Sequence, residues 1–258
     1  MEQKTIYYND ELNDEFSSAK IKPIYIDENY KYKHNFLWNL CSFVMQNIVS
    51  MPIKYFYAKF KFHHKIIGKE KFKEAKSNGY FIYVNHTQEF GDTIFPSLAN
   101  YPKRNLFIVN PENISMKGLK NVVELLGAIP VPGNIKSVKN FKDAIKYNII
   151  KKHSITIYPE AHIWPYYTKI RPFKEVSFKY PVELNTPIFT ITNTYKLYRK
   201  NKIQIVSYID GPFYANLNLH KKEAQKELRE IAYKTMCERS KNSSYEHIKY
   251  MIKNINRE

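Results

Sequence analysis

The stretch YFIYVNHTQEFGDTIF, residues 80–95, decides how this chain is read. Tyr80 to Val84 are apolar without alternation, the pattern of a strand buried on both faces. Polarity begins at Asn85, and strand ends in α/β folds present side chains to a ligand crevice. His86 follows at once, with Glu89 and Asp92 close behind. A histidine beside a carboxylate is the minimum set for activating a hydroxyl: the ring takes the proton and the carboxylate fixes its tautomer and orientation. At about 100° per residue, Asp92 lies roughly 240° around a regular helix from His86. The two meet only through an irregular turn, which Gly91 permits. Glu89, three residues on, shares a helix face with His86 directly and is the rival partner.

Outward from this junction, β-type runs alternate with helical ones. Runs at 65–68, 80–85, 105–110, 154–159, 187–192 and 202–209 read as strands, and those at 88–99, 116–126, 137–151 and after 173 as helices. The alternation predicts an α/β layered fold around a largely parallel mixed sheet. Residues 1–35 read as a polar arm holding one short strand at 21–26. Residues 36–60 read as an amphipathic helix, and 61–258 as one domain ending in a helix over 220–254. Met116, Leu119, Val122, Val123 and Leu126 read as a core stripe. The adjacent His63 and His64 lie on a β-type run, where they point to opposite faces and make poor co-ligands.

The segment FLWNLCSFVMQNIVSMPI, 36–53, carries no charge. Its polar residues Asn39, Ser42, Gln46 and Ser50 recur on one helical face. That stripe and Pro52 suit a helix lying in a membrane interface better than one crossing it. Lys31, Lys33, Lys54, Lys59 and Lys61 flank it, placed to meet anionic head groups.

Composition agrees. The chain has 258 residues, 41 basic against 24 acidic, and a net charge of +17. Residues 1–30 carry seven acidic and three basic groups, so the remaining body is strongly cationic. Such a body is drawn to anionic lipid, phosphorylated substrate or nucleic acid. No recognisable nucleic-acid motif accompanies the charge, so no nucleic-acid partner is expected. Cys41 and Cys237 form no disulfide framework, and no metal-ligand spacing stands out. The polar N-terminus predicts no secretory leader and a reduced, cytoplasmic-side compartment.

A second run, SITIYPEAHIWPYYTKIRPFKEVSF (154–178), completes the pattern. A buried-type strand ends in Tyr158-Pro159-Glu160, and an aromatic loop leads to Arg171-Pro172-Phe173-Lys174. Between the two runs lies Gly127-Ala128-Ile129-Pro130-Val131-Pro132, and Pro187-Ile188-Phe189-Thr190 follows. In this order, over roughly residues 60–195, the sequence resembles the glycerolipid acyltransferase family that acylates lysophosphatidate and related lysolipids.

The resemblance implies an O-acyltransferase of glycerophospholipid synthesis, peripheral or monotopic on the cytoplasmic face of the cell membrane. The acyl donor would be an acyl thioester on coenzyme A or acyl carrier protein, with no bound cofactor. The acceptor would be a lysophospholipid such as 1-acylglycerol-3-phosphate. His86 would be the base, with Asp92 or Glu89 orienting it. Asn85, Glu160, Arg171 and Lys174 are the candidate substrate-binding residues. Three departures stand out. Five residues rather than four separate His86 from Asp92. Ala161 replaces a glycine, and His162-Ile163-Trp164 replaces Thr-Arg-Ser. The arginine expected after Ile129 is absent, so both family arginines implicated in holding an acceptor phosphate are missing. A lipid-binding protein that keeps the fold without the activity, or an acyltransferase for a phosphate-free (glyco)lipid, are the alternatives.

Overall fold

A computed structural model describes residues 3–17 and 21–253 of the chain. Strand β1 (Lys4–Tyr8) opens it. A continuous helical run follows: α1 (Phe36–Phe43), a π-helical stretch (Val44–Val49) and α2 (Ser50–Phe62). Then come β2 (Lys65–Ile67), a 3₁₀ segment (Lys69–Ala75), β3 (Tyr80–Val84), α3 (Gly91–Asn100), β4 (Asn105–Val109), α4 (Lys120–Leu125) and β5 (Ala128–Pro130). The chain continues with α5 (Val138–Ile150), β6 (Ser154–Ile157), α6 (Lys179–Leu184), β7 (Ile188–Tyr198), β8 (Lys202–Phe213), α7 (Lys221–Ser240) and β9 (Ile248–Ile252).

Seven strands form one sheet in the order β2-β8-β7-β3-β6-β4-β5. The β7–β8 pair is antiparallel and the other pairs are parallel. This is the expected α/β class. β3 lies between β7 and β6, which is why its sequence is apolar on both faces. Phe81 and Tyr83 join a core with Phe141 and Ile145 of α5 and Leu228 and Ala232 of α7. Tyr80, Ile82 and Val84 join the opposite core with Phe72 and Ala99. Successive side chains of one strand thus feed two cores.

Register places the chemistry. β3 and β6 pair with Phe81 opposite Ile155 and Tyr83 opposite Ile157. Three residues beyond, the same offset sets His86 beside Glu160, where two strand ends stop at the same height.

Several local expectations differ from the structure. Residues 21–26 form no strand. The arm instead pairs through β1 in a parallel two-stranded sheet with β9, from the other end of the chain. The last helix accordingly stops at Ser240 rather than running to 254. His63 is no strand residue but the left-handed cap of α2, with φ 44°. The stripe on α4 is no core: none of that helix is buried, and Met116, Leu119 and Val122 are exposed.

The helical run from Phe36 to Phe62 is the most unusual element. Its polar stripe faces the protein. Ser42 Oγ and Gln46 Nε2 both donate to the Leu125 carbonyl, and Arg104 donates to Asn39 Oδ1 and Ser42 Oγ at 3.0 and 2.7 Å. Lys54 Nζ donates to Ser97 Oγ at 3.0 Å. Phe36, Leu37, Ile48, Ile53, Phe56 and Phe60 are turned outward. A surface helix normally buries its apolar face, and here the polarity is reversed. By length and composition the run suffices to cross a membrane. These bonds, spread from Asn39 to Lys54, hold it flat against the body.

Two half-buried histidines set an acid limit. Burial pushes the pKa of His64 down to about 4, and burial with the nearby Arg104 charge does the same to His153. The folded state therefore keeps both rings neutral, whereas the unfolded chain protonates them below about pH 6.5. The resulting stability is full above that pH and is lost as pH falls towards 4. Two protons refused by the fold give a slope of at most about 2.7 kcal/mol per pH unit. Urea denaturation at pH 7, 6 and 5 is expected to show this loss, and His153→Gln should roughly halve the slope. Equal stability at the three pH values would contradict it.

Candidate active site

His86 stands two residues beyond the end of β3. Its Nδ1 lies 2.6 Å from Asp92 Oδ2, and the ring is partly exposed while Asp92 is buried. The pair closes through an irregular turn: the Gln88 backbone N–H donates to the same Oδ2 at 3.0 Å, and α3 starts only at Gly91. The extra residue between histidine and aspartate is absorbed there. Gly91 serves by its lack of bulk, not by unusual dihedrals. A Cβ on it would stand 2.6 Å from the Phe95 ring and 2.9 Å from Gln88 Cβ. Burial holds the Asp92 carboxyl above its ordinary pKa, against the His86 ring and the backbone donors. A carboxylate so starved of water binds the Nδ1 proton strongly, which leaves Nε2 as the base. Nε2 makes no hydrogen bond among the described residues. Glu89, the rival partner, is exposed and accepts from Ser17 Oγ at 2.6 Å.

Below the ring lies Tyr158, stacked at 4.3 Å, whose hydroxyl donates to the Asp92 carbonyl. The Glu160 carboxylate accepts from the His86 and Arg171 backbone N–H groups, both at 2.9 Å. It thereby ties the two motif loops together. The Arg171 guanidinium stands 3.6 Å from it. Both residues are buried, and burial raises the Glu160 pKa despite Arg171 and the two N–H donors.

Arg171 is not placed to meet a substrate. It is fully buried, donates to the Glu11 and His162 carbonyls, and lies 4.9 Å from the Trp164 ring. Its guanidinium fastens the acidic arm to the loop after β6. Asn85 is equally occupied: its amide exchanges two hydrogen bonds with the Asn193 backbone, clasping β3 to β7. Lys174 is exposed on the rim of a cleft of about 430 Å³. Tyr158, Glu160, His162 and Phe173 line this cleft, and Leu12 and Asn13 of the arm form part of its wall. The arm's share was not readable from sequence, because no local pattern announces a contact across 150 residues. Trp164, whose Nε1 donates to the Asp14 carbonyl, is the buried centre of that contact. Ala161 adopts a left-handed conformation, at φ 64°, that favours glycine.

The family model for Acyltransferase matches residues 63–194, more than half of the chain. The chain belongs to the acyltransferase family. Its fold is similar to the crystal structure of the 1-acyl-sn-glycerophosphate (LPA) acyltransferase PlsC from Thermotoga maritima. The TM-score is 0.57 at 14% identity, over 83% of this chain and 87% of that one. A search among curated proteins returned no match. The matched segment of this acyltransferase spans both motif loops: His86 and Asp92 after β3, and Glu160 and Arg171 after β6.

Proposed function

We propose that this acyltransferase moves a fatty acyl group from a thioester of coenzyme A or acyl carrier protein to the hydroxyl of a lysolipid. The lysolipid would be a lysophospholipid or a close relative. The observation that carries this reading is the His86–Asp92 pair with Nε2 left open, in a chain of this family. Nε2 removes the acceptor hydroxyl proton as the oxygen attacks the thioester carbonyl. The carbon–sulfur bond then breaks, and the departing thiolate takes the proton back from the imidazolium. Asp92 stabilises that imidazolium and holds its tautomer. No acyl-enzyme is needed.

The reversed helix supports work at a membrane surface, and the surface proposed is the cytoplasmic one. Its outward apolar face would sink into the interface while the body stays in water. Met116, Leu119 and Val122 at α4 are exposed apolar residues as well, and Lys31, Lys33, Lys59 and Lys61 flanking the helix are exposed. Each large apolar side chain so buried is worth about 1.5–3 kcal/mol. The triple variant Leu37→Glu, Ile48→Glu, Ile53→Glu is therefore expected to lose at least about 90% of vesicle binding in flotation, at little cost to folding. Unchanged flotation would contradict the membrane reading.

One observation favours a second acceptor class. With Arg171 enclosed, Lys174 and His162 are the basic side chains lining the cleft among the described residues. A phosphate monoester prefers a guanidinium fork. A phosphate-free or glycosylated lysolipid needs no such fork, and this cleft meets His86 through Tyr158, on which the ring stacks. Rates with lysophosphatidate, lysophosphatidylglycerol, monoacylglycerol and a lysoglycolipid, with either donor, separate the two. Transfer to none of them would leave the alternative of a lipid-binding protein without activity.

A further inference from the structure

Two further grooves lie outside the cleft, one at the end of β3 opposite His86 and one beside α2. The first, of about 660 Å³, is lined by Lys69, Lys73, Lys76, Lys103 and Lys152, with Phe72 and Tyr80 among its apolar residues. The second, of about 670 Å³, runs between Tyr55 and Phe56 of α2 and Ile66 and Leu98. Lys69 and Tyr101 line both, so the grooves meet. Tyr80 opens β3 and His86 follows its far end. At about 3.3 Å per residue, roughly 20 Å separate the lysine groove from the base.

The charge there is unbalanced. Glu70 is the one carboxylate among the lining residues. Lys73, Lys76 and Lys152 are exposed, and their ammonium groups have no hydrogen-bond or ion-pair partner among the described residues. Lys103 is spent on structure: its Nζ donates to the Lys76, Asn78 and Lys152 carbonyls at 3.1, 2.7 and 2.8 Å. Burial, with a lesser push from the neighbouring Lys152 charge, brings its pKa down to about 8. An anion is the chemistry that balances this field. The adjoining groove is apolar, and one of its walls belongs to the outward apolar face of α2. A free phosphate would leave that groove unfilled.

We infer that the joined grooves hold one anionic glycerophospholipid, its phosphate among Lys73, Lys76 and Lys152 and one acyl chain along α2. The lipid is a resident of the membrane rather than a substrate, because its phosphate site lies roughly 20 Å along β3 from His86. It anchors the end of the body that the helix leaves open. This inference stands whether or not the catalytic assignment does.

Native mass spectrometry of the full chain in neutral detergent micelles tests it, with phosphatidylglycerol or phosphatidylcholine added. One phosphatidylglycerol per chain is expected to be retained, and phosphatidylcholine is not. The variant Lys73→Gln, Lys76→Gln, Lys152→Gln should lower retention at least about tenfold, since it removes three charge-assisted contacts. Lys221→Gln, Lys222→Gln, Lys226→Gln on exposed positions of α7 removes the same charge and should change nothing. Equal loss in the two triple variants would overturn the proposal, as would no loss in the first or equal retention of the zwitterionic lipid. Displacement of the lipid by glycerol 3-phosphate would overturn it as well.

Discussion

Replacing His86 with alanine is expected to lower acyl transfer by about a thousandfold and leave the fold in place. A positioned general base typically supplies about 10²–10⁴ in rate, and no other described side chain stands where Nε2 does. The loss should fall on the chemical step, so acceptor binding survives. Asp92→Asn is expected to cost about 10²–10⁴. The ring keeps a neutral partner, but the imidazolium loses the charge that stabilises it. Glu89→Gln should change the rate by less than about twofold, because its carboxylate faces Ser17 and solvent. A Glu89 variant as damaged as the Asp92 variant would reverse the assignment of the orienting carboxylate. Steady-state rates with saturating donor and acceptor decide between them.

The second large effect concerns the buried pair beneath the site. Arg171→Met leaves Glu160 enclosed without its counter-charge, and Glu160→Gln leaves Arg171 enclosed without its own. Removing one member of a buried pair costs about 3–5 kcal/mol. Against a total stability of about 5–15 kcal/mol, either change brings the chain near its unfolding threshold. Glu160→Gln should be the worse, since the His86 and Arg171 backbone N–H groups bond to different oxygens and the amide turns an NH2 donor towards one of them. The double variant is expected to cost clearly less than the sum of the two. Urea denaturation of the four proteins measures this. Additive losses would mean that Glu160 and Arg171 act separately.

The fold class was legible because β3 and β6 are buried on both faces and so read as unbroken apolar runs. The pairing of His86 with Asp92 was legible only as an option. The turn that closes it depends on Gln88 donating its backbone N–H and on the space that Gly91 leaves for Phe95. The meeting of His86 with Glu160 follows from the β3–β6 register, which neither strand records alone. Arg171 stood out by scarcity, yet its enclosure depends on the arm passing over the loop. That path rests on β1 pairing with β9, two segments at opposite ends of the chain. Periodicity showed the polar stripe of the helix but not which way it faced. The same blindness made the α4 stripe look like core.

The most direct test of acyl transfer is a single-turnover reaction of the intact chain with a labelled acyl thioester, in vesicles with and without a lysolipid acceptor. The account predicts thiol release matched one for one by a new lipid ester, dependent on acceptor and lost in His86→Ala. Thiol release that ignores the acceptor, or equal ester formation by His86→Ala, would contradict it.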